Sequence, residues 1–196
     1  MSSMRLDDYL KTLFIILLFV GAAWSATLWP SKIIVEVTKP LVDGVIVDGE
    51  YVDTIVLDDV EVHTFTDNEF VYIGLKSAGS GWVAIGFSPI EVHSGANFLL
   101  GAVVDGAVWV SDEYGSGPYE HASDTSLGGT SDIIEYAGKE MSGTVIELKI
   151  PLDSGDVYDT VLEKGNVYSV IVAYHESIDD FMVTHTERFR ISLLLN

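Results

Sequence analysis

The chain has 196 residues, 48% of them hydrophobic, and sets 30 acidic against 10 basic side chains for a formal net charge of −20. That apolar fraction excludes a disordered chain and fits one domain with a real core, while the negative field repels phosphate backbones and excludes nucleic acid as a partner. The chain has no cysteine, which excludes disulfides, thiolate metal sites, covalent c-type haem, cysteine nucleophiles and a lipoprotein anchor.

In chain order, residues 1–25 read as a signal peptide or an N-terminal membrane anchor. Arg5 and Lys11 precede the apolar run Leu13–Val20, and Ala23-Trp24-Ser25 places small residues where a signal peptidase reads. The run is nearer signal-peptide length than the roughly 20 residues of a spanning helix. The rest of the chain, residues 26–196, is then expected outside the cytoplasm, secreted or at the cell surface.

From Ile33 onward the pattern is of strands. Ile33–Val37 comes first, followed by turns at Asp43-Gly44 and Asp48-Gly49 and a strand at Thr54–Leu57. Val60–Thr66 and Phe70–Leu75 flank Asp67-Asn68-Glu69 as a hairpin. Trp82–Phe87 and Phe98–Val104 are apolar enough to be buried on both faces, and Asp105-Gly106 turns into Ala107–Ser111. A loop is expected over Asp112–Thr130, then strands at Ile133–Tyr136 and Thr144–Ile150. A polar connection over Pro151–Gly165 has room for one helical turn. Strands at Val167–Tyr174 and Phe181–Leu194 end the chain. No stretch keeps a 3.6-residue apolar period, so the expected fold is an all-β, antiparallel β-sandwich with immunoglobulin-like layering.

Transition-metal chemistry must rest on histidine, methionine and carboxylates, and the five histidines are His63, His93, His121, His175 and His185. His93 stands in the short polar connection between the two most apolar strands. In the strand Val183–Ile191, alternation puts His185 on one face with Val183, Phe189 and Ile191, pointing toward the apolar side. An imidazole there either bonds a backbone carbonyl or serves as a ligand. His175 lies at a strand end, His63 reads as structural and His121 as a solvated loop residue. The same alternation turns Met182 away from His185. Asp153, Asp156 and Asp159 offer oxygen ligands of the kind calcium takes, although no EF-hand pattern is present. Neither a nucleophile elbow nor a phosphate-cradling glycine loop appears.

From about Asp43 to Ile191 the chain resembles the DOMON domain family, which includes the N-terminal region of dopamine β-monooxygenase and the cytochrome domain of cellobiose dehydrogenase. The resemblance rests on the order of Asp43-Gly44, Asp48-Gly49-Glu50-Tyr51, Val71–Leu75, Gly81–Phe87, Gly95-Ala96-Asn97, Asp105-Gly106, Val110-Ser111-Asp112, Gly128-Gly129, Ile146–Lys149 with Pro151-Leu152, and the terminal strand bearing His185. It implies a β-sandwich that in many members holds b-type haem between a methionine and a histidine. The family histidine matches His185. Where the methionine would stand this chain has Glu91–Asn97, without methionine, and His93 is in or next to that place. The resemblance therefore implies haem b held non-covalently by His93 and His185, with His175 as substitute ligand and Trp82 and Phe87 in the dry wall. Such a domain carries single electrons to or from a redox protein partner or membrane cytochrome and has no turnover of its own. The competing expectation is a haem-free module binding carbohydrate or another surface ligand through Trp109, Tyr114 and Tyr119.

Overall fold

The computed structural model describes residues 38–88 and 92–196. The first expected strand and the N-terminal targeting segment lie outside them. In chain order the strands are β1 Asp53–Leu57, β2 Val60–Thr66, β3 Phe70–Ser77, β4 Val83–Phe87, β5 Asn97–Val104, β6 Ala107–Gly117 and β7 Glu120–Ser123. A single helical turn, α1 Asp124–Leu127, leads to β8 Glu135–Glu140, β9 Thr144–Pro151, β10 Val167–Tyr174 and β11 Glu187–Leu194. One sheet runs β1-β2-β3-β9-β8 and the other β11-β10-β4-β5-β6-β7, with every pairing antiparallel. The expected all-β sandwich is what the chain forms.

Period-two alternation decides what lies between the sheets. Val71, Ile73 and Leu75 from β3 meet Val83, Ile85 and Phe87 from β4, Leu99 and Val103 from β5, and Val170 and Val172 from β10. Burying each such aliphatic side chain contributes about 1.5–3 kcal/mol, so this layer supplies most of the drive to fold. Turn chemistry fixes the register. The Asp67 carboxylate accepts from the backbone N–H groups of Glu69 and Phe70, both at 2.8 Å, which closes the β2–β3 hairpin. Asp105 and Gly106, with φ of 50° and 79°, make the two-residue turn between β5 and β6.

Buried Glu147 ties the entering chain to β9. Its carboxylate accepts from Gly44 N–H at 2.7 Å, from Asp43 and Val45 N–H at 3.1 Å, and from the Tyr51 hydroxyl at 2.7 Å. Gly44 has a φ of +83°, and a Cβ there would meet the Gly138 backbone at 2.9 Å. The Asp43-Gly44 turn thus needs its glycine for both conformation and space.

Three expectations are corrected. The loop expected over 112–130 is instead the end of β6, the whole of β7 and α1, because Asp112, Glu113 and Tyr114 pair with Leu99, Phe98 and Asn97. The helical turn falls at 124–127 rather than within 151–165. The last strand starts at Glu187 rather than Phe181, because the Asp180 carboxylate and carbonyl accept from Met182 and Val183 N–H and fold the chain into a turn.

Candidate functional site

The outward face of the six-stranded sheet is also apolar. Ala84 on β4, Phe98, Leu100 and Ala102 on β5, and Ile171 and Ala173 on β10 form a second buried cluster with Trp82 and Ala96. The alanines keep this face low. At Gly86 a Cβ would strike the Phe98 ring, so the glycine lets that ring lie across β4. The segment Phe181–His185 lies over this floor, and together they enclose a cavity of about 380 Å³ with Trp82, His93, Tyr119, His121 and Arg188 in its wall.

Three imidazoles reach this cavity. His93 belongs to the short loop before β5, which is seated on β6: Gly95 N–H donates to the Gly115 carbonyl at 2.9 Å and Gly115 N–H to the Ala96 carbonyl at 2.8 Å. A Cβ at Gly115 would collide with the His93 carbonyl oxygen, so the close seating requires glycine. The His93 ring meets Phe98 edge-on, with centroids 5.3 Å apart, and its Nε2 stands 3.5 Å from Arg188 Nη1. His185 sits in the loop ahead of β11, held where Thr186 N–H donates to the Tyr174 carbonyl at 2.8 Å. The Nδ1 atoms of both His93 and His185 are buried without a partner, as is Trp82 Nε1. Nature rarely leaves buried polar nitrogens unmatched, since each costs about 1–3 kcal/mol.

His121 differs from the other two. Its Nδ1 is bonded to the Glu113 carboxylate, which also accepts from Ser111 Oγ at 2.7 Å. Burial raises the Glu113 carboxyl, but the bonds from His121 and Ser111 outweigh it and hold it below the usual range. The His121 ring lies 5.8 Å from Phe98 and 6.3 Å from His93, centroid to centroid. Burial, then the Arg188 charge, then His121 and His185 push His93 down to about 4; burial and Arg188 lower His185 too. Near neutral pH both rings are uncharged, the form in which imidazole ligates a metal. Arg188 lines the cavity, and Arg190, two residues along β11, donates to the Val92 carbonyl beside His93 at 3.3 Å. They are two of only three arginines in the chain.

Of the residues singled out from sequence, the structure brings His93, His185 and Trp82 to one cavity. His185 arrives by a different route from the alternation argument: outside any strand, it turns to the outer face, whereas Phe189 and Ile191 pack against the inner core. Phe87 is fully buried in the inter-sheet core and does not line the cavity, because it shares the inward face with Val83 and Ile85. His175 also lies outside the cavity wall, and its Nδ1 accepts from Ser177 and Ile178 N–H at 3.1 and 3.0 Å. His63 is structural as expected, bonded to Thr54 and Glu61. Sequence reasoning missed His121 and Met182, both in the cavity wall. The signal for His121 was a β-hairpin return that pairs Glu113 with Ser123 and brings His121, two residues before Ser123, within bonding reach of Glu113. Trp109 and Tyr119 are exposed, but Tyr114 pairs with inward-facing Asn97 and packs on Tyr158 at 5.3 Å, so the three aromatics do not share a face.

The class of the fold is an antiparallel β-sandwich with an apolar, imidazole-bearing cavity on the outside of one sheet. The chain belongs to the DOMON domain family, whose model matches residues 58–175. It is similar in structure to the cytochrome domain of Myriococcum thermophilum cellobiose dehydrogenase, at 12% identity and a TM-score of 0.51, over 74% of this chain and 81% of that one. It is also similar to the cytochrome b domain of pyranose dehydrogenase from Coprinopsis cinerea, at 10% identity and a TM-score of 0.52, over 68% and 75% of the two chains. At these identities the likeness is one of fold. No curated protein matches the chain. Among the described residues no helix is long and apolar enough to cross a membrane.

Proposed function

We propose that this chain is an exported b-type cytochrome domain that holds haem b between His93 and His185 and passes single electrons to a redox partner. The observation that carries the reading is the pair of imidazoles, His93 and His185, that line one apolar cavity and each keep a buried nitrogen without a partner. Haem fits the donor set, with neutral imidazoles for iron, an apolar floor for the macrocycle and Arg188 in the wall for a carboxylate. When bound, the haem iron supplies a one-electron couple. The chain's own residues do the rest. Ala84, Leu100, Ile171 and Ala173 give a dry, flat floor; Phe181–His185 limits water; Arg188 and Arg190 offer positive charge in an otherwise acidic protein. Two imidazoles in place of imidazole and thioether favour a low potential, because methionine ligation raises it. The acidic surface suits a basic redox protein or the exposed part of a membrane cytochrome. Export rests on the composition of residues 1–25, and no catalytic turnover is assigned to the domain itself.

Titrating the full chain with haem tests the reading. One equivalent should saturate it and yield a six-coordinate, low-spin spectrum. Failure to take up haem, with binding to a sugar array instead, overturns the cytochrome reading in favour of a carbohydrate-binding module.

A further inference from the structure

The opposite side of β5 and β6 carries a second cluster of polar groups that the haem reading leaves unused. Asp112, Asp132 and Asp159 each offer a carboxylate oxygen, and these three atoms lie within 4.8 Å of one another. Asn97 and Asp112, each 4% exposed, line the same small cavity with Asp132 and Asp159. Asn97 Nδ2 donates to Asp159 Oδ1 at 2.7 Å, and Asp132 N–H donates to Asp112 Oδ2 at 2.7 Å. These bonds fix the side chains, yet Asn97 Oδ1 and Asp112 Oδ1 remain buried without a partner. Asp124 stands close enough to act on Asp112, is fully buried, and has neither carboxylate oxygen bonded. Among the described residues no lysine, arginine or histidine forms an ion pair with any of these four aspartates.

Buried carboxylates left unpaired are among the costliest arrangements in a protein interior. Here burial, and then the neighbouring carboxylates, push both Asp112 and Asp124 up to about 7. A cation would reverse that cost. Oxygens no more than 4.8 Å apart can all reach one calcium, whose bonds to oxygen are roughly 2.3–2.6 Å. The cavity of about 10 Å³ has room for one water-sized body, and so for an ion but no organic ligand. The carboxylates and an amide oxygen form a hard donor set that suits calcium over a transition metal.

We propose that Asp112, Asp132 and Asp159, completed by Asn97 Oδ1, bind one divalent cation of the calcium type between the two sheets. The site differs from the Asp153, Asp156 and Asp159 set read from sequence. Asp153 instead accepts from Gly155 N–H in a local turn, Asp156 accepts from Tyr158 N–H and from Thr130, and only Asp159 belongs to the cluster. The ion joins three parts of the chain distant in sequence: the β5–β6 pair, the segment after α1 and the connection between β9 and β10. Its function is to hold those parts together. The proposal does not rest on haem binding.

Calcium titration of the full chain, freed of metal by chelator, tests it by calorimetry and by thermal melting. One equivalent should bind with a dissociation constant in the range of about 10⁻⁴ M or tighter, as for extracellular calcium modules. The melting temperature should rise with calcium and level off, with magnesium at least tenfold weaker. Asp112→Asn and Asp159→Asn should each weaken calcium binding at least tenfold. The wild-type titration stands by itself if either variant fails to fold. No heat and no melting shift at millimolar calcium, or a weak response that never saturates, overturns the proposal.

Discussion

The outer pocket and the inner acidic cluster use the same two strands and share almost no chemistry. In the β5–β6 register, Phe98 faces Glu113 while Leu99 faces Asp112, one residue along. Alternation sends the first pair outward, where Glu113 holds His121 against Phe98, and the second pair inward, where Asp112 meets Asn97, Asp132 and Asp159. The outer region gathers imidazoles over alanines. The inner one gathers carboxylates against an aliphatic core. A single-residue slip would exchange the two sets, so both regions depend on register more than on any one contact.

Neighbouring substitutions on β5 should separate the regions most sharply. Leu99→Ala removes a side chain buried between the sheets and should cost about 2–5 kcal/mol in urea unfolding, with haem uptake unchanged at temperatures where the variant is folded. Phe98→Ala should weaken haem uptake while leaving calcium binding intact. Equal effects of both variants on haem uptake would contradict the division of faces. Next in size, Gly115→Ala must displace the His93 carbonyl. It should lower haem affinity at least tenfold and leave the calcium-induced melting shift unaltered.

The smallest effect concerns pH, and the two regions oppose one another. His93 titrates near 4 when folded, below its ordinary value of 6.5, so the unfolded chain binds more protons between those values. Its contribution is lost as pH falls from 6.5 toward 4. Asp112 is raised from 3.8 to about 7, so the folded state binds more protons there, and without cation stability falls as pH rises across that window. Urea midpoints against pH, measured in chelator without haem, should lose the acid-side decline in His93→Ala. In Asp112→Asn they should lose part of the decline toward neutral pH. Unchanged profiles in both variants would remove the titration argument.

How legible this was in the sequence follows from the range of the interactions involved. The strands Val60–Thr66, Phe70–Ser77 and Val83–Phe87 announce themselves by local composition, and the Asp-Gly turns by φ requirements of one or two residues. His93 was visible because it interrupts two apolar runs. His121 and Asp112 were not, because polar residues in β6 and β7 look like loop until pairing with β5 gives each a face. Strand alternation and the family pattern both point to His185, but the residue does not sit in a strand: the Asp180 turn moves the start of β11 to Glu187. Phe87 was misplaced for a simpler reason. A strand buried on both faces gives no sequence signal for which side is core and which is pocket.

The most direct measurement is the reduced-minus-oxidised absorption spectrum of the haem-loaded chain beside His93→Ala, His185→Ala and His121→Ala. A six-coordinate low-spin spectrum is expected in the parent, lost in the first two variants and kept in the third, because His121 in the parent is bonded to Glu113 rather than to the iron. A spectrum that survives His93→Ala and disappears in His121→Ala would contradict this expectation and make His121 the ligand opposite His185.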